Sequence, residues 1–227
     1  MTNPPHPDAP QPVLLVLADI SGYTRYMTAN AKTLAHSQTI ITELVEAIIR
    51  QIELPLEVAK LEGDAVFLFC RKQDGAQPWP EVRRIIGEKL LTFFRRFGEK
   101  IGELSQSTTC TCNACVHIEK LRLKVVVHSG EALFHRVLNF VELAGVDVII
   151  VHRLLKNSVN ADQYLLLTEA ARPDVEFAGK FTWQKARRLT PTLACQHAGL
   201  SVGRRRQRDA SCRCFSQTLH PLVEIIF

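Results

Sequence analysis

The sequence has no apolar run of the roughly 18–20 residues that a membrane-spanning helix requires, so no membrane association is expected. Met1–Gln11 contains four prolines and no lysine or arginine, and so lacks the basic segment that opens a secretory signal. With no export signal and an odd cysteine count of seven, a disulfide framework is not expected. The expected location is cytoplasmic. No internal repeat is present, which sets aside solenoid and propeller architectures. What is there is an ordinary globular balance: 227 residues, 46% hydrophobic and 22% charged, which excludes global disorder.

The formal charge of +5 invites a nucleic-acid reading, but its distribution argues against one. Residues 184–227 hold eight Lys/Arg and two Asp/Glu, whereas residues 1–183 hold 20 and 21. The basic character therefore belongs to the C-terminal tail. Its stretch Gly203–Cys214, GRRRQRDASCRC, offers almost nothing for a core. The expected organisation is a flexible leader over 1–12, one domain over 13–190, and a basic, poorly ordered tail over 191–227. Binding of nucleic acid through Arg204–Arg208 ranks lowest among the readings, because the body shows no nucleic-acid-binding fold.

Along the body, Val13–Leu17 is a continuous apolar run, as in a strand buried on both faces. His36–Ile52 and Glu81–Leu104 carry apolar residues at helical spacing. Leu56–Cys70 breaks at Glu62-Gly63-Asp64 and reads as a hairpin. Ser105–Cys115 is polar and reads as irregular. Strands are expected at Leu121–Val127, Val137–Leu143 and Tyr164–Leu167, a helix at Gly145–Val159, and a short terminal strand at Leu222–Phe227. The order β-α-β-β-α-β predicts an α+β domain, with two helices packed on one face of a mainly antiparallel sheet.

Asp19 ends the buried strand, and Asp64 sits at the hairpin tip. If these strands are sheet neighbours, the two carboxylates converge. Paired carboxylates suit Mg²⁺ or Mn²⁺, hard cations that take oxygen ligands and substrate phosphates. The turn Ser21-Gly22-Tyr23-Thr24 offers backbone N–H groups to a phosphate. The competing reading is that both aspartates are ordinary turn residues.

These segments resemble a known family. Ala18-Asp-Ile-Ser-Gly-Tyr-Thr24 and Lys60-Leu-Glu-Gly-Asp64 are similar to the two metal motifs of class III adenylate and guanylate cyclases. Val127-His-Ser-Gly-Glu-Ala132 resembles that family's central strand and turn. Gly145-Val-Asp-Val-Ile-Ile-Val-His-Arg-Leu154 resembles the helix that carries transition-state residues. All four occur in family order between Val13 and Thr168. His36-Ser-Gln38, the CNAC run and His152–Val159 also resemble an uncharacterised bacterial cyclase-like branch.

The resemblance implies a ferredoxin-like nucleotidyl cyclase fold. It also implies a head-to-tail homodimer with its site at the interface, and Mg²⁺- or Mn²⁺-dependent conversion of ATP or GTP to cyclic nucleotide and pyrophosphate. Asp19 and Asp64 would be the metal ligands. Lys60 and Glu142 fall where the purine edge is read, and Ser21, Gly22, Tyr23 and Thr24 where phosphate is held. Arg153 falls on the arginine that stabilises developing phosphate charge. Ile149 departs from the pattern, standing where the family keeps an asparagine that orients the ribose. Isoleucine offers no hydrogen bond, which opens the alternative of a catalytically degenerate binding or signalling module. No clear counterpart of the family's late phosphate-binding lysine is present; Lys180 and Lys185 are the nearest candidates.

Cys110-Thr-Cys112-Asn-Ala-Cys115-Val-His117 packs three thiols and an imidazole into eight positions. Zinc takes four tetrahedral S or N ligands, which Cys110, Cys112, Cys115 and His117 would supply. Structural zinc sites usually join two separated ligand pairs, however, and this run is local. A Cys112–Cys115 redox pair and unligated loop thiols are the other readings.

Overall fold

The computed structural model describes residues 9–72, 77–107, 110–138, 140–157, 159–179, 183–186 and 222–226. The first eight residues of the expected leader, Lys180, the Arg204–Arg208 run, Cys212 and Cys214 lie outside the described residues.

Strand β1 (Gln11–Ser21) organises the domain. Residues Val13 to Leu17 are completely buried. Side chains alternate across a strand, so Leu14, Val16, Ala18 and Ile20 enter one apolar layer while Val13, Leu15 and Leu17 enter the other. A short helix, α1 (Tyr23–Ala29), leads to α2 (Leu34–Ile49). The hairpin β2 (Glu57–Glu62) and β3 (Ala65–Arg71) turns at Gly63-Asp64, as the sequence predicts. Helix α3 (Trp79–Ser107) follows.

A single helical turn, α4 (Asn113–Val116), precedes the long strand β4 (Arg122–Val137). Then come β5 (Phe140–Ala144), α5 (Val146–Leu154) and β6 (Tyr164–Thr168). Two further strands are β7 (Trp183–Ala186) and β8 (Leu222–Ile226), the latter within the expected terminal strand.

The sheet order is β2-β3-β1-β4-β6-β8-β7, with β5 hairpinned onto the outer half of β4. Strand β1 is antiparallel to both β3 and β4, and among the described strands β4 and β6 alone run parallel. The β2-β3-β1-β4 portion is the ferredoxin-like arrangement, and the α+β expectation holds. Helices α2 and α3 cover one face through Ile41, Leu44, Ile48, Ile86, Leu90, Phe93 and Phe97. The other face carries α5, which buries Val151 and Leu154 against Leu15, Leu17 and Phe67.

Several boundaries differ from expectation for local reasons. Helix α5 stops at Leu154 rather than reaching Val159. There Asn157 donates its side-chain N–H to Leu154 O at 2.8 Å and accepts from Val159 N at 2.9 Å, capturing backbone groups that a further turn would use. Helix α3 runs through Ser107, and α4 forms inside the segment expected to be irregular. Strand β4 extends ten residues past the expected end because β5 pairs with it. No described helix is long and apolar enough to cross a membrane.

Candidate functional site

Asp19 continues the alternating series Val13, Leu15, Leu17, so it lies on the sheet face that carries α5. Register places it opposite Ala65 on β3 and opposite Lys124 on β4. Asp64 immediately precedes Ala65 and is thereby carried to the side of Asp19. The two carboxyl groups lie within side-chain hydrogen-bonding reach. Burial, and then the charge of Asp19, push the Asp64 carboxyl up to about 7. Lys124 Nζ donates to Asp19 Oδ2 at 2.8 Å, and both side chains are largely buried. Lys124 is a site residue that motif reasoning passes over; its signal is a lone lysine in the otherwise apolar half of LRLKVVV.

Lys60 faces Phe67 across the β2–β3 pair and so shares the α5 face. Its Nζ lies 3.8 Å from Glu142 Oε2, an ion pair between β2 and β5. The two residues matched to purine reading are therefore neighbours. Both are half exposed, which leaves them accessible and their mutual attraction weak.

Ile149 and Arg153 stand one helical turn apart on α5. With Val148, His152 and Lys156 they line a shallow hollow of about 380 Å³. Ile149 is 54% exposed, an apolar side chain facing water. Among the described residues no ion pair joins Arg153 to Asp19 or Asp64.

The turn Ser21–Thr24 leaves β1 through Gly22, whose φ of +88° is the left-handed conformation that glycine tolerates best. Tyr26 N donates to Gly22 O at 2.8 Å, closing the first turn of α1.

The Val127–Ala132 segment does a different job: it seats α5. His128 is 4% exposed and lies 3.0 Å from both Thr168 Oγ1 and Asp147 Oδ1. Asp147 Oδ2 accepts the backbone N–H of Glu131 at 2.8 Å. Gly130 is required for this fit, since a Cβ there would lie 2.1 Å from Asp147 Cγ. Ser129 donates to Asp174 Oδ2 at 2.5 Å, and Lys72 and Trp79 also bond Asp174.

The cysteine cluster has a different fourth member from the one expected. His117 is not among the residues that come together; its Nδ1 lies 2.8 Å from Asn113 O, one turn back in the same helical segment. His36, on α2, takes the place. His36 Nδ1 lies 3.7 Å from Cys110 Sγ and 3.5 Å from Cys112 Sγ, and Cys112 and Cys115 sulfurs are 3.5 Å apart. All four ligand atoms fall within 4.8 Å of one another. The backbone N–H of Cys115, and then His36, hold the Cys112 thiol down to about 6. This cluster belongs to the α2/α3 side of the sheet, where Cys112 and Cys115 pack against the core.

Comparison with known proteins bears on the fold and the family. The fold is similar to the adenylyl cyclase CyaB from P. aeruginosa, with a TM-score of 0.58 at 11% identity over 96% of this chain and 95% of that one. It is also similar to the guanylyl cyclase Cya2, with a TM-score of 0.55 at 10% identity over 96% and 92%. The domain thus has the cyclase catalytic-domain fold. In sequence it is 33% identical over 129 residues to the uncharacterized protein Rv2561/Rv2562 of Mycobacterium tuberculosis. That alignment spans 57% of this chain and 57% of the relative. The family described as "Protein of unknown function (DUF2652)" matches residues 41–164, from α2 to β6 and more than half of the chain, and the protein belongs to that family.

Proposed function

We propose that the α5 face of this domain binds a purine nucleoside triphosphate with Mg²⁺ or Mn²⁺ and converts it to cyclic nucleotide and pyrophosphate at a homodimer interface, in the cytoplasm. The observation that carries the reading is the convergence of Asp19 and Asp64 on that face. Two carboxylates in contact are a hard oxygen donor set that fits such a cation. Burial first and the charge of Asp19 second raise the Asp64 carboxyl, and a dication bound between the two would relieve the repulsive part.

Asp19 and Asp64 would hold the ion, which when bound supplies charge neutralisation of the triphosphate. Lys60 and Glu142 would hold the purine edge, Lys60 donating and Glu142 accepting. The Ser21–Thr24 turn would cradle phosphate, and Arg153 would stabilise negative charge developing there. The exposed apolar residues Val141, Val146 and Ile149 lie on β5 and α5 and supply apolar surface for a second copy.

The test is incubation of purified protein with ATP or GTP and Mg²⁺ or Mn²⁺, with cyclic nucleotide as the readout. Product above an Asp19→Ala control supports the reading; its absence overturns turnover. One observation favours a second reading, binding without turnover: Ile149 is an exposed apolar residue, and the resemblance sets it at the position of the ribose-orienting asparagine. Triphosphate binding without product would establish that reading.

A further inference from the structure

The His36–Cys110–Cys112–Cys115 cluster stands apart from the proposed nucleotide face and has its own chemistry. A tetrahedral zinc ion, with Zn–S about 2.3 Å and Zn–N about 2.0–2.1 Å, sets its ligands about 3.6–3.8 Å apart. The cluster shows 3.5 Å between Cys112 and Cys115 sulfurs, and 3.5 and 3.7 Å from His36 Nδ1 to two of them. Three of the six edges thus already stand close to those of a zinc tetrahedron, and all four atoms lie within 4.8 Å of one another.

The donor set is three soft thiolates and one imidazole, which favours zinc over hard cations such as Mg²⁺. The set is also closed, with four protein ligands and no position left for substrate, as in structural rather than catalytic zinc sites. His36 removes the objection raised by the local cysteine run. It is 74 residues from Cys110 in sequence, so the site joins two separate parts of the chain.

We infer that these four residues bind one Zn²⁺ that clasps α2 to the α4 segment. The clasp reaches further through hydrogen bonds already in place. Tyr26 on α1 donates its hydroxyl to Ala114 O at 3.0 Å, and Asn113 Nδ2 donates to Asn30 Oδ1 at 2.7 Å. The α4 segment therefore anchors the C-terminal end of α1, the helix that opens from the Ser21–Gly22 turn. Zinc fixes the position of α4, and α4 fixes α1. This inference does not depend on nucleotide turnover.

The experiment uses the full chain, reconstituted with Zn²⁺ alone and then dialysed. Metal content is measured in the wild type and in the His36→Ala, His36→Cys and His117→Ala variants. The expected result is one zinc per chain in the wild type, in His117→Ala and in His36→Cys, where a fourth thiolate replaces the imidazole. His36→Ala should bind zinc at least about tenfold more weakly, since the loss of a supporting outer-shell group alone costs about 10–100-fold. Folding of the variants does not decide the matter alone, because the wild type loaded with Co²⁺ must also show thiolate charge transfer and tetrahedral bands. Less than one zinc per wild-type chain, an octahedral Co²⁺ spectrum, or equal zinc retention by His36→Ala and His117→Ala overturns the inference.

Discussion

Lys124 Nζ lies 2.8 Å from Asp19 Oδ2, directly across the β1–β4 pair, so a strand lysine occupies one side of the proposed cation site. In the metal-free protein this ion pair neutralises Asp19. A divalent cation must share the same carboxylate. Lys124→Met should therefore have two opposite effects. It should lower metal-free stability by about 2 kcal/mol, because it strands a largely buried carboxylate. It should also enlarge the stabilisation gained from added Mg²⁺ or Mn²⁺. Urea denaturation with and without the cation measures both; a cation effect no larger than in the wild type contradicts the shared-carboxylate geometry.

The Asp64 carboxyl gives a pH dependence of defined sign. Its folded value of about 7 lies above the ordinary 3.8, so the folded state holds this proton more tightly. The associated stability is fully present below about pH 4 and is lost as pH rises to about 7. Asp64→Asn keeps a neutral side chain at every pH. In chelator, its melting temperature should exceed that of the wild type above about pH 7, and the gain should disappear toward pH 4. Melting curves across this range check it, and a pH-independent difference would contradict it.

Gly130 and Asp147 are coupled by contact. Gly130→Ala puts a methyl group 2.1 Å from Asp147 Cγ and displaces the carboxylate from His128 and Glu131 N. The cost should be about 3 kcal/mol, with α5 shifted from the sheet. Adding Asp147→Gly removes the clashing Cβ, Cγ and Oδ2 atoms together, so the double variant should be more stable than the sum of the single changes predicts. Denaturation of all three variants provides the cycle, and strict additivity would refute the contact.

Ile149→Asn tests the departure from the cyclase pattern. Ile149 is 54% exposed, so the change should alter stability by no more than about 0.5 kcal/mol. If an orienting hydrogen bond is what the site lacks, cyclic nucleotide formation should rise by on the order of 10²-fold. A rate that does not change shows that some other missing group sets the limit.

Much of this was legible in the sequence because it is local. The run Val13–Leu17 announces a doubly buried strand, Glu62-Gly63-Asp64 announces its hairpin, and the spacing of Ile40, Leu44 and Ile48 fixes the inner face of α2. Asp19 and Asp64 are found from strand ends alone, provided β1 and β3 are neighbours. What escaped is non-local. His36 meets the cysteines only because α2 packs beside α4, whereas His117, adjacent in sequence, is held by its own backbone. Lys124 joins the site through β-sheet register, which no motif encodes. The bonds of Asp174 to Lys72, Trp79 and Ser129 likewise join distant segments.

The central claim is that Asp19 and Asp64 form a cation-dependent triphosphate site on a cyclase fold. Calorimetric titration of the full chain with a non-hydrolysable purine nucleoside triphosphate analogue, in Mn²⁺ and then in chelator, tests it most directly. Binding in Mn²⁺ that is abolished by chelator and by either Asp19→Ala or Asp64→Ala is the predicted result. No binding by the wild type, or equal binding by the wild type and both variants, would contradict the account.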